Sequence, residues 1–105
     1  FGEAYFSWIN KDCVKGWKFH NKMHLHLFVP VGNIKFVFIS NIDNSKNRVE
    51  EIGEKNYCLL SVPPKIWFGF KNLDSGPSLL LNIASIEHDI NEYINKPTNY
   101  FSYDW

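Results

Sequence analysis

The main pattern along the chain is an alternation of apolar and polar residues with a period of two. It predicts strands at 4–9, 14–20, 23–29, 34–40, 49–52, 58–62, 68–73 and 78–84. A period of two places neighbouring side chains on opposite faces of a strand. These runs are also rich in β-branched and aromatic residues, which favour strands. The chain is therefore predicted to be all-β.

Residues with turn chemistry separate the predicted strands, at 30–33, 41–47, 63–65 and 74–77. Strands that recur at about 8–12 residues are typical of a β-sandwich or barrel. The best helical candidate is the short segment 90–94, one turn before Pro97. The tail at 100–105 is strongly aromatic, and we expect it to dock on the body of the domain.

Some predicted strands are apolar on both faces, and Leu79-Leu80-Leu81 is the clearest example. An open sandwich would leave one strand face in water. Burial of both faces indicates either a closed barrel or a strand at a subunit interface. The second alternative would make the protein a homodimer.

The length of 105 residues fits a single domain over 1–105. The start at Phe1 rather than at Met leaves open a missing N-terminal segment. Hydrophobic residues make up 45% of the chain and aromatic residues 17%, which is enough for a packed core and argues against disorder.

Charge and cysteine content limit the classes of partner. Lys and Arg total 11, as do Asp and Glu, so no basic surface for nucleic acid is expected. One or two local cations would still suffice for the phosphates of a nucleotide. No apolar run has the length of a membrane span. Cys13 and Cys58 are expected to be free thiols, which predicts a cytoplasmic protein.

The strand at 14–20 carries the most suggestive polar residues. Lys18 and His20 share one of its faces, and Trp17 lies on the other. Together with Lys15, they could line a groove for an anionic or hydroxylated ligand. Trp17 and Trp67 would then form apolar walls suited to a sugar or a base. The alternative is a solvated strand with two lysines.

A metal site is the second chemistry to consider, because His20, His24 and His26 lie close together in sequence. Imidazoles at alternating strand positions can converge on one ion. A metal-binding cupin would also need an acidic residue shortly afterwards and a fourth histidine in a later strand. The next acidic residue is Asp43 and the next histidine is His88. We predict no metal, and we keep a metal-dependent cupin as the third hypothesis.

Several segments resemble one known family. Residues 15–20, 31–34, 56–64 and 65–70 are similar to the family's catalytic strand, its Ser-Gly-Glu-Val hairpin, its Asn-x-x-x-Leu-x-Ile-Pro-Pro run and the aromatic stretch that follows. The chain thus resembles small relatives of dTDP-4-dehydrorhamnose 3,5-epimerase. This resemblance implies a cupin-like double-stranded β-helix, or jelly roll.

The resemblance also implies positions for catalytic groups. In the family, a strand His is the general base, a Tyr is the acid and a cation stabilises the enolate. The base position corresponds to Lys18, a second His position to Phe68, the Arg position to Lys15 and a Gln position to His20. The Tyr position is not recognisable. The resemblance therefore supports the fold more directly than the reaction, because a shared fold does not confer a shared activity.

The leading hypothesis is an epimerase or ketoisomerase of a nucleotide-linked 4-keto-6-deoxy sugar, active without a cofactor in cell-surface polysaccharide biosynthesis. His20 or Lys18 would be the base. The substrate would contact a further group of predicted site residues, Lys15, Trp17, His26 and Trp67. The alternative is a non-catalytic cupin that binds a sugar or a nucleotide sugar.

Overall fold

The computed structural model describes residues 1–40 and 46–105, and its strands form two antiparallel sheets. In chain order the strands are β1 (Glu3–Ile9), β2 (Val14–His20), β3 (Leu25–Val31), β4 (Asn33–Ser40), β5 (Asn47–Gly53), β6 (Leu60–Val62), β7 (Ile66–Asn72), β8 (Ser78–Ala84) and β9 (Tyr93–Lys96). One sheet has the order β1-β8-β3-β6 and the other the order β5-β4-β7-β2-β9. The prediction of an all-β, cupin-like jelly roll is confirmed.

The predicted helix at 90–94 is wrong. The backbone N–H of Asn91 donates to the Asp89 side chain and that of Glu92 donates to the Asp89 carbonyl, so this segment is a turn. Residues 93–96 then pair with β2 as an edge strand. Ladder hydrogen bonds thus override a weak local preference for helix. Residues 41–45 of the predicted turn at 41–47 lie outside the described residues.

The main core lies between the two sheets. It is built mainly from the alternate, inward-facing residues of strands in both sheets, among them Leu25, Leu27, Ile34, Phe36 and Phe68. Each such side chain contributes about 1.5–3 kcal/mol when it is fully buried. The part of the chain that the structure describes has no helix with the length and hydrophobicity that a bilayer crossing requires.

A β-bulge in β2 determines which residues face the inside. The register between β2 and β7 shifts between Lys15 and Lys18, so Gly16 and Trp17 together occupy the place of one residue. The extra residue puts Lys15 on the same side as Lys18. A Cβ at Gly16 would lie 2.7 Å from the Lys96 carbonyl oxygen, so only glycine lets the end of β9 pass this closely.

The C-terminal tail covers the outer face of the five-stranded sheet. We call this the outer cluster; its buried members are Trp17, Phe19, Val37, Ile39 and Trp67, and its tail members are Phe101, Tyr103 and Trp105. The Trp17 indole N–H donates to the Thr98 carbonyl at 3.0 Å, which fixes the start of the tail. Docking of the tail was predicted from its composition and is confirmed.

The outer face of the four-stranded sheet has a different character. Phe6 and Trp8 on β1 are each 62% exposed there, although both are large and apolar. Across the β1–β8 ladder they lie opposite Leu81 and Leu79, which are only partly buried. Because β1 pairs with β8 alone, it forms one edge of this sheet.

Candidate functional site

A cavity of about 780 Å³ lies between the two sheets. This volume is within the range that holds a small molecule of about drug size. The wall from β2 and β9 carries Lys15, Lys18, His20 and Lys96, and the wall from β1 and β8 carries Tyr5, Ser7 and Asn82. Apolar side chains such as Phe68 and Leu27 line the interior. The cavity therefore combines a basic wall, a hydroxyl- and amide-bearing wall and an apolar interior.

The most distinctive feature of this cavity is a buried His–Glu pair. His20 Nδ1 lies 2.6 Å from Glu92 Oε1, and the two side chains are 9% and 2% exposed. Two backbone groups from the loop after β2 also bind this carboxylate. The N–H groups of Lys22 and Met23 donate to Glu92 Oε2 at 2.9 and 3.0 Å. Both carboxylate oxygens are therefore held in fixed positions.

These contacts determine the protonation of Glu92. Burial alone would raise its pKa, but the hydrogen bonds from His20, Lys22 and Met23 outweigh burial and hold the pKa below its ordinary value of 4.5. An ionised carboxylate has no proton to give. The His20 Nδ1–H is consequently the donor, and Nε2 is the ring nitrogen available to a molecule in the cavity.

Lys18 lies on the same wall, two residues before His20. Its Nζ is 4.8 Å from the centroid of the Tyr93 ring on β9, which is a cation–π geometry. Burial lowers the pKa of Lys18, and the negative charge of Glu92 opposes this only in part. The cavity thus holds a partly desolvated amine next to an imidazole.

A second polar pair lies on the opposite wall. Asn82 Nδ2 on β8 donates to the Tyr5 hydroxyl oxygen on β1 at 3.0 Å. The two residues are direct partners in the β1–β8 ladder. Burial raises the pKa of Tyr5, and the hydrogen bond from Asn82 only partly offsets it. The Tyr5 hydroxyl therefore keeps its proton at neutral pH.

Comparison with known proteins identifies the family of this fold and cavity. Residues 4–105 match the family described as "FdtA: WxcM-like, C-terminal". The chain belongs to this family. Its resemblance to nucleotide-sugar epimerases, which was inferred from sequence motifs, is thereby confirmed.

Two proteins similar to the chain are named as a sugar isomerase and as a probable glycan biosynthesis epimerase. The crystal structure of a dTDP sugar isomerase from Desulfovibrio desulfuricans G20 is 33% identical, with a TM-score of 0.89, over all of this chain and 71% of that chain. The "Probable low-salt glycan biosynthesis epimerase Agl13" of Haloferax volcanii is 29% identical over 96% of this chain and 60% of its own length. The chain thus spans about three fifths of that curated relative.

A more distant structure shares the fold. The 3,4-ketoisomerase QdtA from Thermoanaerobacterium thermosaccharolyticum, crystallised as a variant with TDP-4-keto-6-deoxyglucose, is 24% identical with a TM-score of 0.74. The alignment covers 88% of this chain and 64% of that chain. At this low identity the likeness shows that the two proteins share the jelly-roll fold.

The structure of this FdtA-like chain brings together only some of the predicted site residues. Lys15, Lys18 and His20 line one wall of the cavity, as the groove hypothesis required. Trp17 borders the cavity, but its side chain is fully buried in the outer cluster, where it contacts Phe101 and Trp105. Trp17 therefore supports the wall from behind.

His26 and Trp67 do not lie in the cavity, contrary to the sequence-based expectation. On β3 the inward positions are Leu25 and Leu27, so His26 points to the outer face, where Nδ1 lies 2.9 Å from Ser61 Oγ. Trp67 belongs to the outer cluster and packs against Phe19. Strand alternation separates both residues from the site.

The arrangement also separates the histidines of the metal hypothesis. His20 faces the cavity, His26 faces outward and His24 is exposed beyond the end of β2. Among the described residues, no three His, Cys, Asp or Glu side chains are grouped so that they could hold a metal ion. Cys13 and Cys58 are free thiols.

Sequence reasoning missed Glu92, Tyr5, Asn82 and Tyr93. Glu92 was assigned to a helix that does not form, so its approach to His20, 72 residues away in sequence, had no signal. For Tyr5 and Asn82, the sequence did contain a signal. Each is a polar residue at an inward position of a largely apolar strand, and such residues are often functional.

Proposed function

We propose that this protein catalyses proton transfer at a carbon next to the ketone of a nucleotide-linked 4-keto-6-deoxy sugar. It would act as an epimerase or ketoisomerase in cell-surface polysaccharide biosynthesis. The observation that carries the proposal is the buried His20–Glu92 pair at the wall of a ligand-sized cavity. Membership of a family whose relatives are named as sugar isomerases and epimerases supports the substrate class.

The arrangement of His20 fits the role of the base. Its Nδ1–H donates to Glu92, which leaves the lone pair on Nε2 of a side chain that lines the cavity. The carboxylate would stabilise the imidazolium that forms. Nε2 takes the proton from the carbon beside the ketone. The electron pair of that C–H bond moves into a new C=C bond, and the carbonyl oxygen becomes an enolate oxygen.

Lys18 suits the role of a cation rather than that of the base. Burial lowers the pKa of Lys18, but the Tyr93 ring and the charge of Glu92 both favour its ammonium form. In a partly desolvated site that ammonium attracts an oxyanion more strongly than it would in water. Lys15, on the same wall because of the bulge, and Lys96 add positive charge for phosphate. Without a bidentate fork, these lysines bind phosphate as point charges.

Tyr5 on the opposite wall is placed to act as the acid. In an epimerisation, a proton returns to the same carbon from the other face. In a ketoisomerisation, the carbon of the former ketone gains the proton, while the neighbouring hydroxyl loses its own and becomes the new ketone. Epimerisation needs a proton acceptor on one face of the sugar and a proton donor on the other. The cavity supplies His20 from one sheet and Tyr5 from the other.

Deuterium exchange tests the reaction. The protein is incubated with dTDP-4-keto-6-deoxyglucose in deuterated water, and exchange at C3 and C5 is followed by NMR. We expect exchange at C3 with the wild type and with His24→Gln, a matched histidine outside the cavity, and exchange slower by about 10²–10⁴-fold with His20→Gln. Binding of the nucleotide sugar without any exchange would instead select the non-catalytic cupin.

A homodimer through the outer face of the four-stranded sheet is a further part of the proposal. Phe6 and Trp8 are highly exposed there, and Phe28 and Ile83 extend the same apolar face. An apolar sheet face of this kind is typical of an interface. Light scattering after size exclusion should give twice the chain mass for the wild type and a monomer for Phe6→Asp; a monomeric wild type would contradict the proposal.

A cytoplasmic location also stays a proposal. It is supported by the two free thiols, Cys13 and Cys58, since a reducing compartment keeps thiols unpaired. Fractionation of cells that express the native protein would test it.

A further inference from the structure

Two buried asparagines of this protein differ in how fully their side chains are hydrogen-bonded. The Asn72 amide nitrogen donates to two backbone carbonyls, and its oxygen accepts from the Ser78 hydroxyl and from a backbone N–H. The Asn82 amide nitrogen donates to the Tyr5 hydroxyl, but its oxygen is buried and has no partner among the described residues. Buried polar atoms are nearly always paired. Asn72 therefore suits a structural role, whereas the presence of Asn82 needs another explanation.

The unpaired oxygen makes Asn82 unfavourable for folding. A buried acceptor without a partner loses its hydrogen bonds to water and gains none in the protein. An apolar side chain at this position would avoid that loss, and the neighbouring inward positions of β8 are indeed occupied by the buried apolar residues Leu80 and Ala84. A residue that lowers stability without being required by packing is typical of a functional site.

Asn82 can influence a ligand only through Tyr5. Asn82 is 9% exposed, whereas Tyr5 is 47% exposed and lines the cavity. The two residues are direct partners in the β1–β8 ladder, so their side chains project from the same face of the sheet. Tyr5 is therefore the member of the pair that can contact a molecule in the cavity, and Asn82 determines how its hydroxyl is held.

The direction of the hydrogen bond between them decides what the Tyr5 hydroxyl can do. A phenolic oxygen can accept a hydrogen bond, and its proton can be donated in another. Because the Asn82 N–H donates to this oxygen at 3.0 Å, the Tyr5 proton takes the other position and stays available to a ligand. An acceptor at position 82 would bind that proton instead.

We propose that Asn82 is a positioning residue that holds the Tyr5 hydroxyl as a proton donor to the sugar. This inference rests on the proposed function, in which Tyr5 is the acid. The Tyr5 O–H bond breaks as a C–H bond forms at the enolate carbon, and the enolate oxygen becomes a ketone again. The Asn82 N–H stabilises the phenolate that remains. The phenolate then regains a proton from water, and the His20 imidazolium releases its own to water.

Product formation and deuterium exchange, measured in one sample, test this role. Both are followed by NMR with dTDP-4-keto-6-deoxyglucose in deuterated water near neutral pH. His20 alone can remove a proton and return a deuteron to the same carbon, so exchange does not need Tyr5, whereas the new C–H bond of the product does. The carboxylate of Asn82→Asp would accept the Tyr5 proton. We expect this variant to form product about 10²-fold more slowly, as Tyr5→Phe does, with exchange at C3 within about threefold of the wild type.

Asn72 provides the control for a merely structural role. Asn72→Leu leaves several buried partners unpaired, so it should lower the urea midpoint of unfolding strongly. In the folded protein its ratio of product to exchange should match that of the wild type. Asn82→Leu should lower the midpoint far less and should lower that ratio about tenfold, since Tyr5 loses its donor. This variant also serves if Asn82→Asp does not fold.

The ionisation of Tyr5 gives a readout that does not depend on activity. Burial raises the pKa of Tyr5, the hydrogen bond from Asn82 lowers it, and the charge of Glu3 raises it. Removal of the donor in Asn82→Leu should therefore raise the pKa of Tyr5 further, whereas loss of an acceptor would lower it. Fluorine NMR of protein that contains 3-fluorotyrosine measures this titration, and Tyr5→Phe assigns the signal.

The failure of this inference is distinguishable from that of the proposed function. If Asn82→Asp forms product as fast as the wild type, the proposed function stands and the role of Asn82 is wrong. A lowered Tyr5 pKa in Asn82→Leu has the same meaning. If the wild type neither exchanges deuterium nor forms product, both proposals are wrong.

Discussion

The two faces of the short strand β2 have different roles: one lines the cavity and the other packs against the tail. Lys18 and His20 face the cavity, whereas Trp17 and Phe19 face the tail. The two inner residues are ionisable: His20 is paired with Glu92, and Lys18 borders the cavity. The outer residues are aromatic and closed over by the last residues of the chain. Because alternate residues of a strand face opposite sides, ionisable residues can line the cavity while their aromatic neighbours in sequence pack against the tail.

The ionisable side chains of the inner face carry a desolvation penalty when the protein folds. A buried pair of ionisable side chains such as His20–Glu92 is often no more stabilising than apolar side chains of similar volume, because the polar groups lose their hydration. The outer cluster has no such cost, since its rings contact one another at centroid distances such as 5.1 Å for Trp17 and Phe101. Changes to the ionisable residues of the inner face should therefore affect activity most, and changes on the outer face should affect mainly stability.

The largest expected effect is on the inner face. His20→Gln removes the base but keeps a polar side chain of similar length, so we expect deuterium exchange to fall by about 10²–10⁴-fold. NMR time courses at equal protein concentration measure it. A loss of less than fivefold would mean that another group, Lys18 first of all, removes the proton.

Trp67→Ala is the matching change on the outer face. Trp67 is 7% exposed and contacts Phe19, Tyr100 and Phe101. Truncation of such a side chain leaves a cavity and should lower the free energy of unfolding by about 3–5 kcal/mol. Urea titration measures this, and the affinity of the folded variant for dTDP-4-keto-6-deoxyglucose should stay within about twofold of the wild type. A much lower affinity would show that the two faces are coupled.

The outer face was largely predictable from sequence and the inner face only in part. Aromatic residues at alternate positions of β2 and in the tail have a local pattern, so docking of the tail could be predicted. Lys18 and His20 could be placed on one face for the same reason. Glu92 could not, because its role depends on β9 pairing with β2 across the fold, and the local sequence favoured a turn of helix.

Glu92→Gln tests how much the inner pair contributes and how the contribution depends on pH. In the folded state the Glu92 pKa lies below 4.5, so the folded protein binds this proton more weakly than the unfolded chain does. The resulting stabilisation is fully present above about pH 4.5 and is lost as pH falls through the lowered value. At pH 7 the variant should be about 1–3 kcal/mol less stable. As pH falls from 4.5 through the lowered pKa of Glu92, the difference should shrink.

Chemical denaturation at several pH values measures this profile. The exposed Glu87 provides a control, since Glu87→Gln should leave the profile unchanged. A stability difference between wild type and Glu92→Gln that does not vary with pH would show that the carboxylate acts by packing alone.

Gly69→Ala should have the smallest effect on stability. It also tests whether the two faces of the sheet are coupled, because Gly69 lies next to both the tail and the backbone of Lys15. A Cβ at Gly69 would lie 3.0 Å from the Lys15 carbonyl oxygen and 3.2 Å from the Trp105 ring, so the tail must move by a few tenths of an ångström. Alanine also restricts the unfolded chain, which offsets part of this strain. We expect a net loss of about 1 kcal/mol and a change in tryptophan fluorescence, with affinity for dTDP-4-keto-6-deoxyglucose unchanged. Because Lys15 contributes its backbone here and its side chain to the cavity, weaker sugar binding by this variant would show that movement of the tail reaches the basic wall through β2.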